Sequence, residues 1–191
     1  MDSITRDAIL KARSEAFEAL CPPLYRDTDG ARLPQKQLGD VLSWTYGPKG
    51  LFLVGPARTG KTRCAWLLLK RMMEQGRSVR AFDGVGWQLA VSRAFGSPDD
   101  TEGWFRMLVE PDILFIDDLF KGKLTEAQEL AVHGVLERRS SQLQPVIATS
   151  NTMSAKDLVA RMTEAGIKDR AEAIVGRIRE FCKTVRFGGK A

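Results

Sequence analysis

Leu51-Phe52-Leu53-Val54-Gly55-Pro56-Ala57-Arg58-Thr59-Gly60-Lys61-Thr62 is an apolar run that passes directly into a glycine-bounded turn closed by Lys-Thr. The run predicts a buried strand, and the following stretch, 61–74, has the spacing of a helix. Strand, turn and helix in this order match a phosphate-binding loop in both residues and setting. Backbone N–H groups of such a turn point inward to hold phosphate oxygens, and the helix that follows adds the partial positive charge of its N-terminus. Lys61 is expected to reach the β- and γ-phosphates and Thr62 to coordinate Mg²⁺. The expected nucleotide-binding residues are thus Gly55, Pro56, Ala57, Arg58, Thr59, Gly60, Lys61 and Thr62. An ordinary glycine-rich turn gives no reason for Lys-Thr to follow. Arg58 stands where a glycine is easier, because glycine tolerates positive φ. Its side chain either points to solvent or touches a neighbouring subunit or DNA.

Outward from this stretch, short apolar runs alternate with amphipathic ones, as strands joined by crossover helices do in a parallel sheet. Strands are expected at 51–54, 79–82, 113–116, 146–149 and 184–187. Helices are expected at 61–74, 85–95, 102–109, 125–140, 155–162 and 171–181. The fold class is therefore α/β with a five-stranded parallel sheet. Before it, a helix to about residue 20, a loop over 22–34 and a short helix over 35–46 make an arm, 1–46, ahead of a core, 47–191. Gly96-Ser-Pro-Asp-Asp-Thr101 reads as a loop inside the core.

The 191 residues suit one domain, and 43% hydrophobic with 28% charged residues is the balance of a soluble globular protein. Neither a long apolar span nor a signal peptide is present, so no membrane role is expected. The three cysteines, Cys21, Cys64 and Cys182, are isolated, which fits a reduced cytoplasmic setting, and with the single His133 they make no zinc pattern. The net charge of +5 is too small to establish nucleic-acid binding. Residues 101–150 carry 5 bases and 8 acids, whereas 51–100 carry 8 and 4 and 151–191 carry 9 and 5.

Within the acidic block, the apolar run Ile113-Leu-Phe-Ile116 ends in Asp117-Asp118. It delivers two acids to the carboxyl edge of the sheet, where ligands of open α/β folds bind. Asp117 is expected to hold Mg²⁺ through its water shell and Asp118 to orient or deprotonate an attacking water. The pair could instead cap a turn. The next strand ends in Ser150-Asn151, whose amide could contact a γ-phosphate and a lytic water, or serve as a turn or helix cap.

Taken in order, GPARTGKT (55–62), ILFIDDLF (113–120), VIATSN (146–151) and AIVGRIREF (173–181) resemble the DnaC/IstB-like branch of the AAA+ ATPases over roughly residues 47–187. The resemblance implies a three-layer α/β/α P-loop NTPase of the additional-strand (ASCE) class, with ATP and Mg²⁺ as cofactors. Asn151 is then sensor 1. Arg177, with Arg179 second, is then an arginine finger aimed at an adjacent subunit, although a solvated basic helix end is the competing account. It also implies a homo-oligomer when ATP is bound, single-stranded DNA and a replicative helicase as partners, and an extra helix between the second and third strands that contacts the DNA. No C-terminal helical lid is expected, since four residues follow Phe187. The short arm departs from the substantial N-terminal domain with which many loaders grip a helicase.

Arg77, Arg80, Arg93, Arg106, Lys121 and Lys123 are candidate phosphate contacts for DNA, and Leu24 and Tyr25 could pack on adenine. Trp44, Trp66, Trp87 and Trp104 read as core or interface anchors. A helicase loader is the leading expectation. A transposition helper shares every motif, and a small-molecule P-loop kinase and a non-hydrolysing nucleotide-dependent binding module are the alternatives of different class.

Overall fold

In the computed structural model, the residues described are 3–94, 98–119, 126–152, 157, 159 and 168–188. Gly50–Val54 (β1) is buried along its whole length because it lies inside a five-stranded sheet with strands on both sides. It is flanked by Val146–Ser150 (β4) and Cys182–Arg186 (β5), and beyond β4 come Ile113–Ile116 (β3) and Val79–Phe82 (β2). The order is β2-β3-β4-β1-β5 and every pairing is parallel. A parallel sheet buried on both faces explains why β1, β3 and β4 are buried at every position, without alternation.

The two faces bury two cores. Leu51, Leu53, Ile113, Phe115 and Ile147 pack with Cys64, Leu68, Leu69 and Met72 of Lys61–Glu74 (α4). The same core takes in Phe17 of Ser3–Leu20 (α1) and Leu38 and Val41 of Gln35–Leu42 (α3), so the arm covers this face of the sheet. Trp66 bridges arm and sheet, edge-on to Phe17 at 6.2 Å and to Phe115 at 5.3 Å between ring centroids. On the other face Phe52, Val54, Leu114, Ile116 and Ala148 pack against Gly84–Ala94 (α5), Pro98–Val109 (α6), Glu126–Ser141 (α7) and Lys168–Phe181 (α8) through Trp87, Leu108, Val132, Val135, Ile174 and Ile178. The result is the expected three-layer α/β/α arrangement.

Several boundaries differ from expectation. The 22–34 segment contains a short helix, Pro23–Arg26 (α2), and a 3₁₀ turn, Gly30–Arg32, whose preceding Asp29 accepts the Ala31 N–H. α3 ends at Leu42, and Trp44 beyond it donates from Nε1 to Lys49 O at 2.8 Å. Of the expected loop 96–101, residues from Pro98 onward are helical; proline suits a first helical turn and acids there suit the helix dipole. β5 begins at Cys182, directly after α8, because its register pairs Cys182 with Gly50. The expected strand residue Phe187 extends the ladder by donating to Val54 O at 2.7 Å. Most of the helix expected at 155–162 lies outside the described residues, as do Lys121, Lys123 and the side chains of Arg93 and Trp104.

Candidate functional site

The turn between β1 and α4 is shaped by residues with positive φ: Gly55 at 143°, Arg58 at 64° and Gly60 at 96°. A side chain on Gly55 would run into the carbonyl of Phe187, so only glycine lets the loop leave β1 beside β5. Lys61, in the first turn of α4, is 6% exposed. Its ammonium donates to Gly55 O at 2.8 Å, Pro56 O at 2.6 Å and Asn151 Oδ1 at 3.0 Å. Burial lowers its pKa, and the nearby charges of Asp118 and Asp117 work against that shift.

β3 and β4 bring the acids and the amide to the same edge. Thr62 Oγ1 donates to Asp117 Oδ1 at 2.8 Å, and Thr149 Oγ1 donates to the same oxygen at 2.6 Å. Burial raises the Asp117 pKa, an effect that these two hydroxyls and Lys61 oppose and Asp118 reinforces. Asp118 sits at φ 57°, with its N–H donating to Thr149 Oγ1 at 2.7 Å and its carboxylate accepting from Asn151 Nδ2 at 2.7 Å. Asn151 therefore uses both ends of its amide, oxygen to Lys61 and nitrogen to Asp118. Thr62 and Asp117 offer hard oxygen donors side by side. That donor set fits Mg²⁺, which takes few protein ligands and fills the rest of its octahedron with water and phosphate oxygens.

These groups open into a cleft of about 1230 Å³ lined by Ala57 to Arg63, Asp83 to Val85, Asp117, Asp118, Thr149, Asn151 and Gly188. Its remaining wall comes from the arm: Tyr25, Asp27, Thr28, Asp29, Arg32, Leu33, Pro34 and Gln37. Arg63 fastens this wall, its guanidinium 5.6 Å from the Tyr25 ring centroid and donating to Thr28 Oγ1 at 3.2 Å. Leu24 is 67% exposed and stands outside the cleft wall. Thr149, Asp83 and the arm residues other than Tyr25 escape a reading of motifs. Thr149 reads there as the last position of an apolar strand, and the arm meets the cleft only through tertiary packing.

The structure brings Lys61, Thr62, Asp117, Asp118 and Asn151 together and leaves Arg177 apart. Arg177 neighbours Pro48, Val146 and Cys182, where β1, β4 and β5 begin, at the sheet edge opposite the cleft. It pairs with Glu137 of α7 at 2.7 Å and with Glu180 at 3.5 Å. Arg179 is exposed on the same helix. Among the candidate DNA contacts, Arg77 stacks 3.9 Å over Tyr46 and pairs with Asp112 at 3.6 Å, and Arg106 pairs with Glu102 at 3.1 Å. Arg80 lies against Met107 and Phe82.

A parallel α/β/α sheet of order 2-3-4-1-5, with a Gly-Lys-Thr turn after β1, an acid pair after β3 and an amide after the strand between them, defines a P-loop ATPase fold of the AAA+ class. The sequence profile of the IstB-like ATP binding proteins matches residues 19–191, and the chain belongs to that family. Its fold is similar to that of the DnaC helicase loader, at 19% identity and TM-score 0.64, over 91% of this chain and 99% of that one. It is similarly close to the replication initiator DnaA bound to AMPPCP and single-stranded DNA, at 18% identity and TM-score 0.65, over 88% of this chain and 51% of that one. In sequence it is 23% identical over 119 residues to the uncharacterized protein YdaV of Escherichia coli strain K12, over 59% of this chain and 48% of that protein. The chain thus spans about half the length of that curated relative. Among the described residues, no helix is long and apolar enough to cross a membrane.

Proposed function

We propose that this protein hydrolyses ATP with Mg²⁺ and uses the cycle to act on single-stranded DNA and a replicative helicase, as a helicase loader. The observation that carries the hydrolytic part is the single chain of contacts Lys61–Asn151–Asp118, set beside the Thr62–Asp117 pair. Lys61 would hold the β- and γ-phosphates, and Thr62 and Asp117 would hold Mg²⁺, which when bound neutralises phosphate charge. Asp118 would then orient or deprotonate the attacking water while Asn151 fixes the geometry between that acid and the phosphate cation. Such a site works by positioning and electrostatics more than by covalent chemistry.

Arg177 cannot reach the cleft of its own chain, so a finger role requires a second copy, and turnover by an isolated chain is expected to be slow. The DNA and helicase parts of the proposal rest on the likeness to DnaC and to the DNA-bound DnaA. Membership of the IstB-like family favours transposition helper as the second reading, with the same chemistry and a transposase as partner.

ATP turnover measured with and without single-stranded DNA, over a salt series, tests the proposal. Stimulation that fades as salt rises is the expected outcome, because phosphate contacts release counterions. Turnover indifferent to DNA, or transfer of the γ-phosphoryl group to a metabolite in place of water, would reject it. Co-purification with a replicative helicase or with a transposase separates the two readings.

A further inference from the structure

We infer that Arg58 is a second phosphate-binding cation, supplied by the loop itself in addition to Lys61. The inference rests on the reading of the cleft as an ATP site. Arg58 adopts φ 64°, a left-handed conformation that a bulky side chain enters at a cost and glycine does not. Strain of this kind persists where the surroundings over-determine the backbone, and it concentrates at ligand-binding sites. Here the loop's path is held on either side by Gly55 and Gly60, also at positive φ, and by the Lys61 ammonium drawing in the Gly55 and Pro56 carbonyls. An arginine therefore stands at a position where glycine would relax the turn.

Among the described residues, its side chain makes no hydrogen bond or ion pair that offsets that cost. Arg58 is exposed and lines the cleft. Asp27, Asp29, Asp83 and Asp118 line the same cleft, yet Arg58 forms no ion pair or hydrogen bond with Asp27, Asp29 or Asp83. Lys61, by contrast, is buried and fully engaged. A planar guanidinium on a strained, unengaged residue of a phosphate loop suits one ligand chemistry above others, the oxygens of a polyphosphate, which it can meet with two parallel N–H donors. Arg58 is thus a binding and positioning residue for the nucleotide's phosphate chain, acting in the chain that carries it.

The test compares wild type, Arg58→Gly, Arg58→Asn and Arg58→Lys as full chains, by calorimetric titration with AMPPCP and Mg²⁺ and by thermal melting without nucleotide. Glycine and asparagine both tolerate left-handed φ, so neither should lose the fold. The expected result is a crossing of effects: Arg58→Gly melts higher than wild type but binds AMPPCP at least tenfold more weakly, Arg58→Asn also binds weakly, and Arg58→Lys recovers part of the affinity. Wild-type binding with Gly and Asn variants equal or tighter would overturn the inference and leave the ATP site standing. Failure of wild type itself to bind would overturn the site along with it. A loss seen only at concentrations where light scattering shows self-association would place the arginine's action on a second copy and reject the assignment made here.

Discussion

Asn151 holds the Asp118 carboxylate through its Nδ2 at 2.7 Å, and this ties the end of β4 to the residue that follows the acid of β3. Because the oxygen of the same amide accepts from Lys61 at 3.0 Å, one side chain connects the proposed phosphate-binding cation to the proposed base. Asn151→Ala is expected to retain ATP binding within a few-fold and to lower kcat by about a hundredfold, the usual scale for removing one preorganised polar group from a charged transition state. Weaker binding with kcat unchanged would show that the amide acts through ground-state binding only.

Asp117 carries a pH signature. Burial raises its pKa above that of an ordinary carboxylate, with Thr149 and Thr62 opposing the shift. The folded protein then holds this proton more tightly than the unfolded chain does. Its stability contribution therefore falls as pH rises from the ordinary carboxylate range through the raised value. Asp117→Asn should flatten that decline, melt higher than wild type near neutral pH without nucleotide, and lose Mg²⁺-dependent turnover. Thermal melts from pH 4 to 8 check the first part and turnover against Mg²⁺ concentration the second.

Arg177 and Glu137 give a separate readout of assembly. Under the finger proposal, Arg177→Ala binds ATP as wild type does but loses about a thousandfold or more in turnover at concentrations where copies associate. Glu137→Gln removes the shorter, 2.7 Å, of the two ion pairs that hold Arg177 within its own chain and should leave turnover unchanged or higher. Full activity in Arg177→Ala would sink the finger assignment and turn attention to Arg179.

Arg139 is a structural charge. It is fully buried and donates to the carbonyls of Leu108, Pro111, Asp112 and Pro145, joining the end of α6 to the approaches to β3 and β4. Burial lowers its pKa to about 10, so it stays protonated at neutral pH. Arg139→Met leaves those buried carbonyls without their donor and should cost about 3 kcal/mol or more, measured by urea unfolding at constant m-value. A loss below ~1 kcal/mol would mean that water replaces the guanidinium.

Some of the site is legible in the chain because its chemistry is local. Gly55 to Gly60 form one continuous turn, closed by Lys61 and Thr62 at the start of α4, and Asp117-Asp118 follow an apolar run that must end at a sheet edge. Asn151 is legible for the same reason. Thr149 is not, because a threonine in an apolar strand has no distinguishing pattern until Asp117 Oδ1 and the Asp118 N–H stand beside it. Arg58 is ambiguous in sequence, and only the structure shows its left-handed φ and its place on the cleft.

Residue order alone determined that five apolar runs separated by amphipathic stretches make a parallel α/β sheet with a glycine-bounded Lys-Thr turn after its first strand. Periodicity and turn chemistry are short-range properties, set by sterics and by the need to bury one face of each helix. Only the tertiary structure decided that β4 lies between β1 and β3, so that Asn151 falls between Lys61 and Asp118. It also decided that the arm closes the cleft and that Arg177 faces away from it. Those relations join residues far apart in the chain. They arise from which apolar surfaces pack together, and no local pattern of residues encodes that choice.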